Sequence, residues 1–176
     1  MNKIIVKVST CCLMAGMMFM PIHAEQTQTE GNEGNMTLKY TEGNHWTVTI
    51  PSEVSLSTGS DSESKITATE INIEPTMKLE VSISGGISEG KATLSRASGT
   101  AADNVTSIVS LTKNATSGIS DNAVVAEFSG TKKETTISAD KNGTLYFSKL
   151  TAKDNGTVKA GEYTGQITFK LGTANK

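Results

Sequence analysis

Short runs of alternating apolar and polar residues, separated by turn residues, constrain the fold of this chain most strongly. Leu79, Val81 and Ile83 alternate with polar residues and are followed by Gly85-Gly86, and the stretch 163–171 near the C terminus alternates in the same way. A period of two residues indicates a strand with one buried face. Strands about 8 to 12 residues apart with turn signals between them are typical of an all-β sandwich or barrel.

The same pattern predicts strands along most of the chain. No window shows the 3.6-residue apolar period of a helix, so we expect helix to be close to absent. We predict a single Ig-like antiparallel β-sandwich of about seven to nine strands. The remaining runs lie at 36–40, 46–50, 66–73, 92–95, 106–111, 124–129, 135–138 and 144–148.

The N-terminal segment predicts export. Lys3 and Lys7 precede an apolar stretch over 8–22 that ends before Ala24. About 15 apolar residues are fewer than the roughly 20 of a spanning helix, which favours a signal peptide cleaved after Ala24 over an uncleaved membrane anchor. Thr10 before Cys11 makes a poor lipoprotein cleavage site.

Four segments follow from this interpretation: a signal peptide at 1–24, a polar leader at 25–35, a β-sandwich domain at 36–172 and a C-terminal tail at 173–176. The leader contains no apolar side chain and is expected to be disordered. We expect a secreted or cell-surface protein with no membrane span after processing.

Cysteine and charge exclude several classes of function. Both cysteines, Cys11 and Cys12, lie in the signal peptide, so the mature chain is expected to contain no disulfide and no sulfur ligand for a metal. Arg96 is the single arginine, and Lys132-Lys133 is the only pair of adjacent basic residues. Nucleic-acid binding requires a clustered basic surface, so it is not expected.

We predict no catalytic, cofactor-binding or metal-binding residues and no cofactor. His45 is the only histidine after processing, and we interpret it as a half-exposed strand residue, because one histidine completes neither a metal site nor a catalytic triad. Four glutamates on or near strands are interpreted as solvated. The alternative that the fold brings two of them together as the carboxylate pair of a glycosidase stays open. The four glutamates are Glu70, Glu74, Glu80 and Glu127.

Calcium and carbohydrate are the remaining ligands to weigh. Asp140, Asn142, Asp154 and Asn155 offer oxygen ligands, but their spacing does not match a calcium-binding loop, and we predict hairpin turns there. Seven aromatic residues follow the signal peptide, and we expect only Tyr146 to point outward. One exposed aromatic side chain is weak evidence for a carbohydrate-binding site. The other six are predicted to face the core: Tyr40, Trp46, Phe128, Phe147, Tyr163 and Phe169.

Three loops rich in serine, threonine and glycine are expected on the surface, where binding residues of such scaffolds usually lie. They cover residues 55–64, 98–103 and 112–122.

Three stretches resemble a known group. The stretch 46–56, which contains Val48-Thr49-Ile50-Pro51, the run 71–83, and the closing stretch 159–171 resemble secreted Ig-like surface proteins of gut Firmicutes. The closing strand is also similar to that of WxL-type wall-binding domains and fimbrial subunits. The resemblance implies an exported β-sandwich at the cell surface.

We therefore expect a non-catalytic protein of adhesion or interaction, with a protein or glycan partner and possible self-association through a sheet edge. A pilin-like subunit that assembles by strand addition is the first alternative, with the Met36–Tyr40 run as the donated strand. A carbohydrate-binding or glycoside-active domain is the second.

Overall fold

The computed structural model describes residues 40–153 and 156–176. The chain divides into Met1–Tyr40 and Thr41–Lys176, and the strands belong to the second unit. The predicted signal peptide, the polar leader and residues 36–39 of the first predicted strand lie outside the described residues.

Within the described residues, regular structure is extended apart from one 3-10 turn at Ala101–Asp103. Side chains alternate between the two faces of a strand, so an alternating sequence buries its apolar half only when extended. The strands, numbered in chain order, are β1 (His45–Thr49), β2 (Ser62–Lys65), β3 (Thr67–Asn72), β4 (Met77–Gly85), β5 (Ile87–Ser88), β6 (Lys91–Arg96), β7 (Val105–Ser110), β8 (Val124–Phe128), β9 (Thr131–Ser138), β10 (Lys141–Asn142), β11 (Thr144–Phe147), β12 (Thr151–Ala152), β13 (Tyr163–Thr164) and β14 (Thr168–Asn175).

The strands form open antiparallel sheets. A three-stranded sheet has the order β1-β3-β9, and a four-stranded sheet has the order β10-β8-β4-β14. A third sheet follows the path β13-β6-β7-β11-β2, with β5 beside β6 and β12 beside β7. All pairings are antiparallel. The predicted all-β antiparallel sandwich is confirmed.

Strand segments are more numerous than the predicted runs, because one run is divided and four short strands lie outside every run: β2, β5, β10 and β12. The run at 66–73 belongs to an extended stretch that begins at Ser62 and is interrupted at Ile66, whose N–H donates to the Gly143 carbonyl at 2.8 Å. Before that point β2 pairs with β11, and after it β3 pairs with β1 and β9. The four polar residues of β2 carry no apolar signal and were predicted as part of a loop.

The closing strand differs most from its prediction. The run at 163–171 is divided into β13, which pairs with β6, and β14, which pairs with β4. The chain between them crosses close over Gly86, where an added Cβ would lie 1.9 Å from the Gln166 carbonyl oxygen. No side chain fits at this crossing.

The end of the chain also differs from its prediction. Strand β14 continues to Asn175, which is paired with Met77. Residues 173–175 therefore belong to the sheet rather than to a tail, because pairing with β4 holds a segment whose own residues are too small and polar to indicate a strand.

Apolar side chains from the paired strands meet in one core cluster. Alternate residues of β4 (Leu79, Val81 and Ile83) are buried, as the sequence predicts. Phe128 is the largest side chain that is fully buried. Trp46 packs against the cluster from β1 and remains half-buried.

Candidate functional site

Strands β14 and β9 are the longest of the described strands at the edge of a sheet. Strand β14 has eight residues and pairs along its length with β4, at the end of the four-stranded sheet. Among the described residues, no strand pairs with its other side. An unpaired strand edge presents N–H and C=O groups that form hydrogen bonds with an added strand.

The pairing with β4 determines which backbone groups are presented. The N–H of Lys176 donates to the Thr76 carbonyl at 3.0 Å, and these two residues continue the register that pairs Asn175 with Met77. Hydrogen-bonded pairs alternate with non-hydrogen-bonded pairs in an antiparallel ladder. The N–H of Ile83 donates to Ala123 on the opposite side of β4, which agrees with this alternation.

Every second residue of β14 therefore directs its backbone away from β4. We call these N–H and C=O groups the outer edge of β14. They belong to Phe169, Leu171, Thr173 and Asn175.

The side chains of β14 divide between its two faces. Phe169 and Leu171 lie opposite Ile83 and Val81 and pack against the core, although both remain half-buried. On the other face, Lys170 is the only charged side chain of β14. A half-buried apolar row beside an open edge is a surface that an added strand would cover.

The other edge strands carry features that discourage strand addition. Strand β9 contains Lys132, Lys133 and Glu134, and charged side chains block pairing. Strand β1 has an irregular register between Thr47 and Val48. Strands β10 and β13 contain two residues each, and β2 carries two charges in four residues.

A charged network covers the outward face of the sheet beside this edge. The Lys78 Nζ lies 2.8 Å from Glu80 Oε1 and 3.2 Å from Glu127 Oε2, and Lys141 Nζ lies 3.4 Å from Glu127 Oε1. Hydrogen bonds that Lys78 donates to Glu80 and then to Glu127 raise the pKa of Lys78. The two glutamates are paired across strands on a sheet face and share one lysine, so their charges are compensated.

His45 points away from the core on β1, as predicted. Its side chain is 46% exposed, with Nδ1 3.9 Å from Glu42 and Nε2 3.8 Å from Glu70. Lys133 lies 3.0 Å from Glu70, and its hydrogen bond lowers the pKa of that carboxyl. His45 is thus one member of a surface charge cluster.

The residues weighed as calcium ligands have other partners in the structure. Asp140 accepts hydrogen bonds from Lys132 at 2.6 Å and Ser129 at 2.9 Å. The Asn142 amide donates to the Val124 carbonyl at 3.2 Å. Asp154 and Asn155 lie outside the described residues, and the part of the chain that is described holds no group of three potential metal ligands.

Two open depressions lie on the described surface. One, of about 440 Å³, is lined in part by Glu42, Glu74 and Lys176. The other, of about 500 Å³, lies beside β2 and includes Glu63 and Lys65. Neither gathers aromatic side chains.

Two aromatic residues differ from the prediction that they face the core. Tyr163 is half-buried on β13, is not among the side chains packed against the core cluster, and donates from its hydroxyl to the Lys159 carbonyl at 2.9 Å. Tyr40 is not in a strand and is 83% exposed, the largest exposure of a big apolar side chain in the described region. The prediction that Tyr40 lies on a strand with its side chain buried is wrong. Phe128 and Phe147 are buried, and Tyr146 is half-buried on the opposite face of its strand.

Two of the predicted loops are held to the strands. Part of the stretch 55–64 is strand β2. In the loop 112–122, the Ile119 N–H donates to the Val109 carbonyl at 2.8 Å, and Gly118 lies against the Gly90 backbone so closely that no Cβ fits. This loop is therefore fixed at its middle.

No protein-family model matches the chain, and the searches of curated proteins and of solved structures find no similar protein. In the two stretches that the structure describes, no helix is long and apolar enough to cross a membrane.

Sequence reasoning predicted β14 as a strand without placing it at an edge. Whether a strand lies inside or at the end of a sheet depends on which strands pair with it. The one local sign is that Phe169 and Leu171 share β14 with a single charge, Lys170.

Proposed function

We propose that this protein is an exported, non-catalytic interaction protein, secreted or associated with the cell surface, and that it binds its partner at the outer edge of β14. The N-terminal segment with its cleavage signal at Ala24 supports export. The open edge supports recognition of an extended protein segment by strand addition.

The observation that carries this proposal is the contrast between β14 and the other edges. One of the eight side chains of β14 is charged, whereas β9, which is equally long, has three charged side chains at 132–134. Natural proteins usually protect long edges with charges, prolines or bulges. Over 169–175 this edge carries one charged side chain, Lys170, and the register irregularity of β14 lies before this stretch, between Thr168 and Phe169. This weaker protection makes the edge suited to pairing.

The charges of the described residues support a role in binding rather than catalysis. Glu80 and Glu127 both contact Lys78, and His45 is exposed between Glu42 and Glu70. General acid and base catalysis uses groups placed against a bound substrate. Here the charged groups compensate one another on open strand faces.

Export is tested by recovering the protein from culture medium, cell surface and cytoplasm and sequencing its N terminus. We expect the chain outside the cytoplasm to begin at Glu25. An intact chain that retains Met1 and stays in the cytoplasm would contradict the proposal.

Binding is tested with the purified protein on arrays of host matrix proteins, glycans and surface proteins of the producing cells. The variant Thr173→Pro removes an N–H that points away from β4, and proline is tolerated at an edge. We expect it to weaken binding at least about tenfold. Thr173→Ser is the matched control and should bind normally.

Circular dichroism and urea unfolding of both variants establish that the fold is kept. Equal binding by folded Thr173→Pro and by the original protein would argue against the edge as the binding surface. Binding to no surface in the whole screen would argue against an interaction protein.

A structural subunit that assembles by strand addition is the second candidate, and the same open edge favours it. Heat-stable oligomers in detergent electrophoresis are expected for such a subunit, because a donated strand dissociates slowly. A monomer under the same conditions supports the interaction protein instead.

A further inference from the structure

The outer edge of β14 is self-complementary in the antiparallel direction. Its outward-directed residues are all odd-numbered, from Phe169 to Asn175. When two copies of β14 run antiparallel about Gly172, each odd residue faces an odd residue of the other copy. All outward N–H and C=O groups then meet as hydrogen-bonded pairs.

The side chains are compatible with this register. Lys170 of one copy faces Ala174 of the other, so the single charge of β14 does not oppose itself. Phe169 and Leu171 stay on the core side of the sheet, where they lie opposite Asn175 and Thr173 of the second copy. Like charges directly opposite each other would destabilise the pair, and here there are none.

Gly172 is the residue at the centre of this register. It faces its own copy as a non-hydrogen-bonded pair, the type in which side chains approach most closely. An added Cβ on Gly172 meets no atom within 4 Å. The position therefore tolerates larger side chains within one copy, whereas in the pair they would meet.

We propose that β14 pairs antiparallel with β14 of a second copy of this chain, with Gly172 at the two-fold axis. This inference rests on the proposed function and names the partner of the same edge. The pairing joins two four-stranded sheets into one continuous sheet, β10-β8-β4-β14 followed by the same strands in reverse order. Isologous contacts of this kind are closed and limit assembly to a dimer.

Pairing through one strand buries a small area, at the low end of specific interfaces, below about 1,200 Å². We therefore expect a dimer that forms and dissociates with concentration. Sedimentation of the purified full-length product over a wide concentration range is the measurement.

The test uses substitutions at Gly172. Gly172→Lys places two lysines opposite each other and should weaken the dimer at least about tenfold. Within one copy the same lysine lies opposite Glu80, so the fold is kept. Gly172→Ala is the matched neutral control and should dimerise.

Charge rescue makes the test specific. Gly172→Glu lies opposite Glu80 within its own copy, so circular dichroism first establishes that this variant is folded. Folded Gly172→Glu alone should also be mainly monomeric, and an equimolar mixture with Gly172→Lys should dimerise again. A dimer that persists unchanged in folded Gly172→Lys would overturn the proposed pairing.

Amide hydrogen exchange separates failure of this inference from failure of the proposed function. The amides of 169, 171, 173 and 175 should exchange rapidly in dilute solution and slowly at high concentration. Rapid exchange at every concentration in a monomer overturns self-pairing but leaves the edge open to another partner. Slow exchange in the dilute monomer shows a covered edge and overturns both.

Discussion

Replacing Gly86 by alanine tests how the chain brings β14 to its sheet. Gly86 has φ +89°, and a Cβ there would lie 1.9 Å from the Gln166 carbonyl oxygen and 2.7 Å from the Ile167 Cα. Both atoms are backbone and cannot rotate away. The substitution must therefore strain the left-handed residue or displace the segment that leads into β14.

The expected cost combines two terms. A non-glycine residue in the left-handed region costs about 1–2 kcal/mol, and relieving overpacking by a backbone shift costs about 1–3 kcal/mol. We expect Gly86→Ala to lower the free energy of unfolding by about 2–5 kcal/mol and Tm by about 6–20 °C. Urea unfolding followed by Trp46 fluorescence measures the first quantity, and calorimetry measures the second.

Two other glycines separate these terms. Gly130 has φ +77° but open space around its Cβ position, so Gly130→Ala should show the left-handed cost alone, about 1–2 kcal/mol. Gly172 is not left-handed and has open space, so Gly172→Ala should change stability by less than about 0.5 kcal/mol. If Gly86→Ala costs no more than Gly130→Ala, the crossing does not constrain the fold as argued.

Three further predictions concern the core, acid stability and one loop. Phe128→Ala should destabilise by about 3–5 kcal/mol in urea unfolding, because Phe128 is 1% exposed and its removal leaves a cavity. A hydrogen bond from Lys159 holds the pKa of Asp103 below its usual range. The stabilisation from this pair is therefore present above about pH 4 and is lost as the pH falls through the lowered value, so Asp103→Asn should flatten the loss of stability below about pH 4. An equally steep loss in Asp103→Asn would contradict this. Arg96 donates from Nε to the Ala160 carbonyl at 3.1 Å and also from Nη2, so Arg96→Ala should speed amide exchange around 160 by roughly tenfold, and unchanged exchange would count against this anchor.

The site shows why an edge is hard to predict. Phe169 and Leu171 alternate with polar residues, which indicates a strand with one buried face. The same alternation occurs in β4, which is paired on both sides. The alternation does not distinguish them, because pairing partners are distant in sequence, and the single charge of β14 is the one local difference.

The charged residues illustrate the same limit. Glu80 and Glu127 are far apart in the sequence and were interpreted as separately solvated. The register that places Glu80 opposite Glu127 also brings Lys78 to both. Only the pairing of β4 with β8 creates this network, so sequence spacing carried no sign of it.

By itself the sequence determined that the chain folds as strands and which face of a regular run such as β4 is buried. Alternation at Leu79, Val81 and Ile83 is a local property, since each side chain's face follows from the backbone geometry of its own strand. The tertiary structure alone decided where the closing run breaks, which strand ends the sheet, and which charges meet. Those outcomes depend on contacts such as Gln166 over Gly86, which arise only when distant segments pack together.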